Sequence, residues 1–322
     1  DAQESRGLGD VYKRQYLTRR AEQGMNVLQI NTLPQWDRCC PDLGIWPYAS
    51  EDGVHFSPTG DAPVLTAGEL GYGQGTVEDP RLVKIDGKFY LTFAYRPYTY
   101  NCCPTGLGVP DYTPLKGELD KGINNTLSAI AVSDDLRSFR IRSLVNGDAV
   151  DERDNVLFPE TGNGKYFLLR RPKQFGDRPS IYYSTSADCE RWSEPKLLAA
   201  PILPPSHSYI GAGAPPVKTD KGWLLLYHGV DEKDVYRVGA MLLDLEDPSR
   251  VIARTPRYIM EPTEYYEKFG LVIPNVIFPT ACVEKNGLLY IYYGCCDTCI
   301  ALATVPVKEL SLIHISEPTR LL

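Results

Sequence analysis

The feature that most restricts the fold of this chain is a repeat. Four times, a turn ending in glycine runs directly into a strand rich in aromatic and branched residues. These are Asp86-Gly87 before residues 88–93, Asn163-Gly164 before 165–169, Lys221-Gly222 before 223–227 and Asn286-Gly287 before 288–293. Asp-Gly and Asn-Gly suit tight hairpin turns, and the residues that follow suit a pleated, packed surface. A short segment with a polar or proline-bearing site precedes each copy: Glu78-Asp79-Pro80-Arg81, Leu157-Phe158-Pro159-Glu160, Gly213-Ala214-Pro215-Pro216 and Phe278-Pro279-Thr280. A further strand follows each, beginning near Ile130, Ile181, Val238 and Ile300. Ser-x-Asp turns leading to an aromatic residue recur at Ser50, Ser133 and Ser186. Sustained helical periodicity is almost absent, and only 261–269 reads as a short helix. Units of three or four short strands repeated in this way must stack on one another to bury their faces, as the blades of a β-propeller do. Four copies are complete. Tyr16-Leu17-Thr18-Arg19-Arg20 with 45–56 supplies a damaged fifth. The expected fold is therefore all-β, a single-domain, five-bladed β-propeller with an incomplete first blade.

The propeller is expected to span 16–310. The flanks, 1–15 and 311–322, resemble translated sequencing-adaptor read-through and are expected to be non-native tails, with the true N-terminus missing. Residues 97–125 carry few strand signals and many Gly, Pro and Tyr, so they read as an insertion between two strands of one blade. Such loops on a rigid scaffold commonly shape binding sites, and 39–45 is a second candidate. Composition narrows the classes. A chain of 322 residues with 43% hydrophobic content can build a sizeable core. Its net charge of −7 and lack of a basic stripe argue against a nucleic-acid partner. No apolar run is long enough for a membrane span. The nine cysteines include the adjacent pairs Cys39-Cys40, Cys102-Cys103 and Cys295-Cys296. Cys296-Asp297-Thr298-Cys299 lacks a second pair and a nearby histidine, so no metal site is expected. Buried reduced thiols in a cytoplasmic protein are the expectation, with disulfides of an exported enzyme as the alternative. Homo-oligomerisation is left open.

In a propeller the first strand of each blade lines a central channel, so the polar sites ahead of the aromatic strands should converge there. Asp79, Arg153 or Asp154, Arg171, His228 and Asp297 come from different blades. Charged groups in segments built for burial need partners. A funnel of arginines, histidine and carboxylates suits a polar ligand, and tyrosine rings suit sugar faces. Pro80 should bias Asp79 toward an extended conformation at a strand entrance. Plainer readings stand beside these. Glu78, Asp79 and Arg81 could form a surface ion-pair turn, and His228 could be a satisfied core histidine. Asp154 could simply pair with Arg153, Asp297 could cap a turn, and Glu160 should pair with a nearby cation.

A longer ordered set of motifs sharpens the choice. It comprises Glu78-Asp79-Pro80-Arg81, Leu157-Phe158-Pro159-Glu160, Arg171-Pro172 and Ile210-Gly211-Ala212-Gly213-Ala214-Pro215-Pro216. It continues through Gly222-Trp223-Leu224-Leu225-Leu226-Tyr227-His228-Gly229, Pro274-Asn275-Val276-Ile277-Phe278-Pro279 and Tyr292-Tyr293-Gly294-Cys295-Cys296-Asp297-Thr298. From about Ser50 to Val305 this order resembles glycoside hydrolase family 130, which comprises β-mannoside phosphorylases and some β-mannosidases. The resemblance implies a five-bladed propeller. It makes Asp79 the catalytic acid, passing its proton to the leaving oxygen by way of a mannose hydroxyl. It assigns Arg153, Arg171, His228 and Tyr236 to phosphate, for which guanidinium forks are well suited. It places Asp297 on mannose; Arg81, Asp154 and Tyr209 are further expected along the substrate site. Two positions depart from the family pattern: Tyr209 stands where a lysine is usual, and Asp154 where an asparagine is. The implied activity is inverting phosphorolysis of a β-mannoside to α-mannose 1-phosphate and a shortened sugar, with inorganic phosphate as co-substrate and no other cofactor. The alternative is an inverting β-mannosidase, in which Asp154 or another carboxylate would direct water, because inverting hydrolysis needs a second carboxylate. A third reading is a sugar-binding propeller without turnover.

Overall fold

The computed structural model describes residues 28–32, 44–71, 76–96, 126–145, 151–173, 175–201, 208–270 and 273–312. The expectations for 16–20, for most of 39–45, for the 97–125 insertion and for Cys39, Cys40, Cys102 and Cys103 lie outside the described residues. In chain order the strands begin with β1 (Leu28–Thr32) and four two-residue strands, β2 (Gly44–Ile45), β3 (Tyr48–Ala49), β4 (Ser57–Pro58) and β5 (Leu65–Thr66). The first blade holds β6 (Thr76–Ile85), β7 (Lys88–Arg96), β8 (Leu127–Ser133) and β9 (Arg140–Leu144). The second holds β10 (Glu152–Leu157), β11 (Tyr166–Pro172), β12 (Ile181–Ser186) and β13 (Lys196–Ala199). The third holds β14 (Tyr209–Ala212), β15 (Val217–Lys218), β16 (Trp223–Val230), β17 (Tyr236–Leu243) and β18 (Val251–Arg254). The fourth is β19 (Ile277–Lys285), β20 (Leu288–Cys295) and β21 (Cys299–Pro306), completed by β1 on its outer edge.

The glycine turns behave as their chemistry requires. At Asp86-Gly87, Asn163-Gly164 and Asn286-Gly287 both residues have positive φ, the geometry of a two-residue hairpin turn whose twist matches the strands. The Ser-x-Asp signals form matching turns. The Ser133 hydroxyl accepts from the Leu136 N–H at 2.9 Å and the Asp135 carboxylate from the Arg137 N–H at 2.8 Å. Ser186 with Asp188 and Ser50 with Asp52 repeat the arrangement. Strand β16, apolar almost throughout, is buried along its whole length, because a blade's second strand is covered on both faces by neighbouring blades. Apolar clusters fill each seam. Val83, Ile130, Leu157 and Leu168 join the first blade to the second. Val156, Phe158, Leu225 and Tyr227 join the second to the third. Leu226, Val238, Ile277 and Ile291 join the third to the fourth. Each such side chain contributes about 1.5–3 kcal/mol of burial, so the seams hold the propeller together.

The architecture is thus all-β and propeller-like, with four blades built from the described strands. Where the fifth blade was expected, between the first and fourth, the described strands form two short ladders, β2 with β5 and β3 with β4. On one side β2 and β5 meet β6. On the other, Tyr292 Oη donates to the Gly53 carbonyl at 2.7 Å and Lys285 Nζ to that of Glu51 at 3.2 Å. Pro47, Pro58 and Pro63 remove backbone donors there, which limits ladder length. Within 261–269 the helix is a single turn, Tyr265–Lys268, capped reciprocally by Glu264 and Glu267. A second helix, Val307–Leu312, was not anticipated; six residues are too few to show periodicity.

Inner strands β6, β10 and β19 meet around the hub, β10 also meets β14, and Gly213 after β14 lies against Pro279 of β19. Antiparallel order puts the starts of these strands, the Cys295–Cys299 hairpin and the Tyr265–Lys268 turn on one face. The glycine and Ser-x-Asp turns lie on the other.

Candidate active site

The site is built on irregularities at the beginnings of the inner strands. The register of β6 against β7 shifts between Glu78 and Arg81, and that of β10 against β11 between Arg153 and Val156. Asp79 and Asp154 occupy the two bulges with φ of 54° and 56°. The extended conformation expected for Asp79 is therefore overturned. A bulge sets two residues against one, leaves one out of the ladder and re-aims its side chain. Pro80, lacking an N–H, loses no ladder bond by following it, and aspartate tolerates positive φ better than most residues.

Asp79 is the open member of the pair, with 30% of its side chain exposed. Enclosure by the funnel wall pushes its carboxyl up to about 6. Arg81 opposes that rise, Glu78 and Asp154 add to it, and Arg153 works against it. Glu78 is held aside by Arg96 Nε at 3.2 Å. A carboxyl that keeps its proton to about pH 6 is suited to general-acid work.

Asp154 has the opposite surroundings. Only 1% of its side chain is exposed. One oxygen accepts from Arg171 Nε and lies 3.4 Å from His228 Nε2; the other lies 3.6 Å from Arg81 Nη2. Burial alone would raise its carboxyl, but Arg171, His228 and Arg81 more than offset that and hold it at about 2. Gly211 makes this approach sterically feasible. A Cβ there would collide with the Asp154 carboxylate and the His228 ring. The plain reading that Asp154 pairs with Arg153 does not hold, because its partners are arginines from other positions and the histidine.

Around this pair the remaining candidates gather. The Arg171 guanidinium lies 5.3 Å from the Tyr209 ring centroid, and the Tyr209 and Tyr236 hydroxyls share a hydrogen bond. Tyr236 stacks on His228 with centroids 5.9 Å apart. Burial first, then the neighbouring Tyr209, raises the Tyr236 hydroxyl, so it stays protonated. Arg153 is half-buried, and its Nε has no hydrogen-bond partner among the described residues. Its charge acts on both Asp79 and Asp297, so all three stand within electrostatic reach of one another. Asp297 stands exposed on its hairpin, yet enough protein surrounds it that desolvation, then the Glu78 charge, raises its carboxyl. Glu160 is remote from this group and pairs with Lys218 at 2.6 Å, as expected.

The structure thus brings Asp79, Arg81, Arg153, Asp154, Arg171, Tyr209, His228, Tyr236 and Asp297 into one constellation. It separates them by depth. Arg81 and Asp154, expected along the substrate, are enclosed, and His228 is fully buried with Nε2 turned toward Asp154. Sequence reasoning gave no part to Phe278, whose ring lies 4.7 Å from that of His228 and 5.3 Å from the Arg81 guanidinium. The signal was the Phe-Pro at the start of the fourth aromatic repeat.

The five described cysteines, Cys189, Cys282, Cys295, Cys296 and Cys299, are free thiols. Burial pushes Cys189 and Cys282 up to about 12, which makes them unreactive.

Known proteins resemble this chain in sequence and fold. Residues 48–314 match the glycoside hydrolase 130 family, described as beta-1,4-mannooligosaccharide phosphorylase. The chain is 40% identical over 267 residues to a beta-1,2-mannobiose phosphorylase of Thermoanaerobacter sp. (strain X514), covering 81% of this chain and 76% of that protein. It is 37% identical over 264 residues to a 1,2-beta-oligomannan phosphorylase of the same strain, covering 81% and 78%. It is 31% identical over 289 residues to a beta-1,4-mannooligosaccharide phosphorylase of Ruminococcus albus, covering 85% and 77%. Among solved structures, the beta-1,2-mannobiose phosphorylase of Listeria innocua, in complex with beta-1,2-mannobiose, superposes with a TM-score of 0.66 at 27% identity. That match covers 84% of this chain and 69% of that one. By motif order, fold and sequence, the chain belongs to glycoside hydrolase family 130.

Proposed function

We propose that this protein is an inverting β-mannoside phosphorylase. It would convert a mannosyl-oligosaccharide and inorganic phosphate to α-mannose 1-phosphate and a shortened sugar. The observation that carries this reading is the state of Asp154. A carboxylate 1% exposed, faced by two arginines and a histidine and held below the ordinary carboxylate range, is shut off from water and a poor base for it. Inverting hydrolysis would lean on such a base; phosphorolysis needs none, because phosphate arrives as the nucleophile. The same cage removes the objection that Asp154 would repel phosphate, since its charge is already neutralised.

Asp79 then supplies the proton to the departing oxygen, through a sugar hydroxyl, while phosphate attacks the anomeric carbon from the opposite face. Arg153, Arg171 and the Tyr209–Tyr236 hydroxyls would hold the phosphate, with His228 acting through Asp154, and Asp297 would hold the mannose. Fixed cations gain most where charge accumulates in the transition state. The names of the relatives point to β-1,2- or β-1,4-linked mannosides as the substrate class. The two short ladders between the first and fourth blades are, in this reading, a reduced fifth blade. The free thiols fit a reducing cytoplasm that supplies phosphate.

The test is incubation with β-1,2- and β-1,4-mannobiose, with and without phosphate. Phosphate-dependent α-mannose 1-phosphate is expected. Free mannose at equal rates without phosphate, or no product from any β-mannoside, would overturn the reading.

A further inference from the structure

Arg81 follows the acid by two residues yet is closed off from the channel, with 1% of its side chain exposed. It touches all four blades. Nη1 donates to the Asp79 carbonyl at 2.7 Å and lies 4.0 Å from the Asp79 carboxylate, in the first blade. Nη2 lies 3.6 Å from Asp154 Oδ1, in the second. Nε donates to the Gly213 carbonyl at 3.1 Å, in the third. The guanidinium carbon lies over the Phe278 ring, 5.3 Å from its centroid, in the fourth. A side chain so enclosed cannot bind a sugar.

We infer that Arg81 is a positioning residue for proton transfer: it fixes the bulge that aims Asp79 and sets its own charge beside the Asp79 carboxylate. This rests on Asp79 being the proton donor. The bulge gives up ladder hydrogen bonds, and the Nη1 bond to the Asp79 carbonyl replaces one of them from the side-chain direction. A planar guanidinium can meet a carbonyl, a second carbonyl and two carboxylates at once, which a lysine ammonium cannot. The charged groups facing Asp79 are Arg81 and Glu78 on its own strand and Arg153 and Asp154 on β10. Arg81 is the strongest of the influences favouring the ionised form, and it opposes the desolvation that favours the proton.

The decisive measurement is the carboxyl carbon-13 NMR titration of Asp79, its resonance assigned by loss in Asp79→Asn. Arg81→Gln should raise the titration midpoint by about one pH unit and move the alkaline limb of kcat/KM upward with it. An unmoved midpoint in folded Arg81→Gln would overturn the inference, because a purely structural role changes activity without changing that midpoint. If Arg81→Gln does not fold, Arg81→Lys decides. It should retain the midpoint while kcat falls about tenfold or more with KM little changed, since misaiming by about 1 Å is costly. Parental kcat in Arg81→Lys would refute the positioning role. The titration needs no turnover, so failure of phosphorolysis would defeat the proposed function and still leave Arg81 judged on its own.

Discussion

Asp79 and Asp154 occupy equivalent bulges of adjacent blades, with nearly the same φ, and differ in almost everything chemical. One stands at the channel with its carboxyl raised to about 6; the other is sealed among cations and held at about 2. Backbone geometry presents both carboxyls, and the neighbours suit one to the proposed acid's part and make the other a counter-ion. Repetition thus supplies two copies of one presentation, and blade-specific side chains make them unequal. That is the general route by which paired carboxylates acquire separate roles.

The largest effect that would sharpen the comparison is at the acid. Asp79→Asn should lower turnover by about three orders of magnitude while leaving the unfolding midpoint in denaturant unchanged or higher. Turnover within tenfold of the parent in a sugar-phosphate assay would break it. Asp154→Ala should instead cost about 3–5 kcal/mol of stability, measured by denaturant unfolding, because it strands buried guanidiniums. A loss no larger than that of a surface carboxylate would show that the cage is not closed.

Acidification should separate the two more finely. Asp154 has a folded value below its unfolded value of 3.8, so its contribution is present above pH 4 and is lost as pH falls through about 2. About 2 kcal/mol should disappear across that window in the wild type and not in Asp154→Asn, so the difference between them shrinks by that amount. Asp79 has the reverse sign: its folded value exceeds the unfolded one, so any contribution fades as pH rises through about 6. In kinetics the same proton is lost over that range, and kcat/KM should fall above pH 6. The smallest effect belongs to Arg153, a cation whose Nε has no hydrogen-bond partner among the described residues. Arg153→Gln should raise KM for phosphate about tenfold with kcat changed less, as loss of one charge-assisted bond predicts. An unchanged phosphate KM would remove Arg153 from that role.

Much of this was legible in the chain because local chemistry dictated it. Asp86-Gly87, Asn163-Gly164 and Asn286-Gly287 encode their hairpins through backbone preference alone, and the strands after them encode burial. The Asp79 bulge was not legible: a following proline argues for an extended residue, and the contrary outcome depends on tertiary support. The depth of Arg81 was equally hidden, since its bond to Gly213 spans 132 positions in sequence. The same holds for the division between enclosed and open residues, where His228 and Asp154 sit deep and Arg153 and Asp297 sit near the mouth. Of the fifth repeat only the turn at Ser50 was legible, because a turn does not by itself dictate the length of the strands around it.

The four-way anchorage of Arg81 makes the proposed catalytic centre a gauge of alignment between blades. If one seam slips by about 1 Å, the guanidinium must follow one wall and abandon another, and the proton donor turns with it. Mild denaturant should therefore silence the enzyme while its circular dichroism is still that of intact sheet.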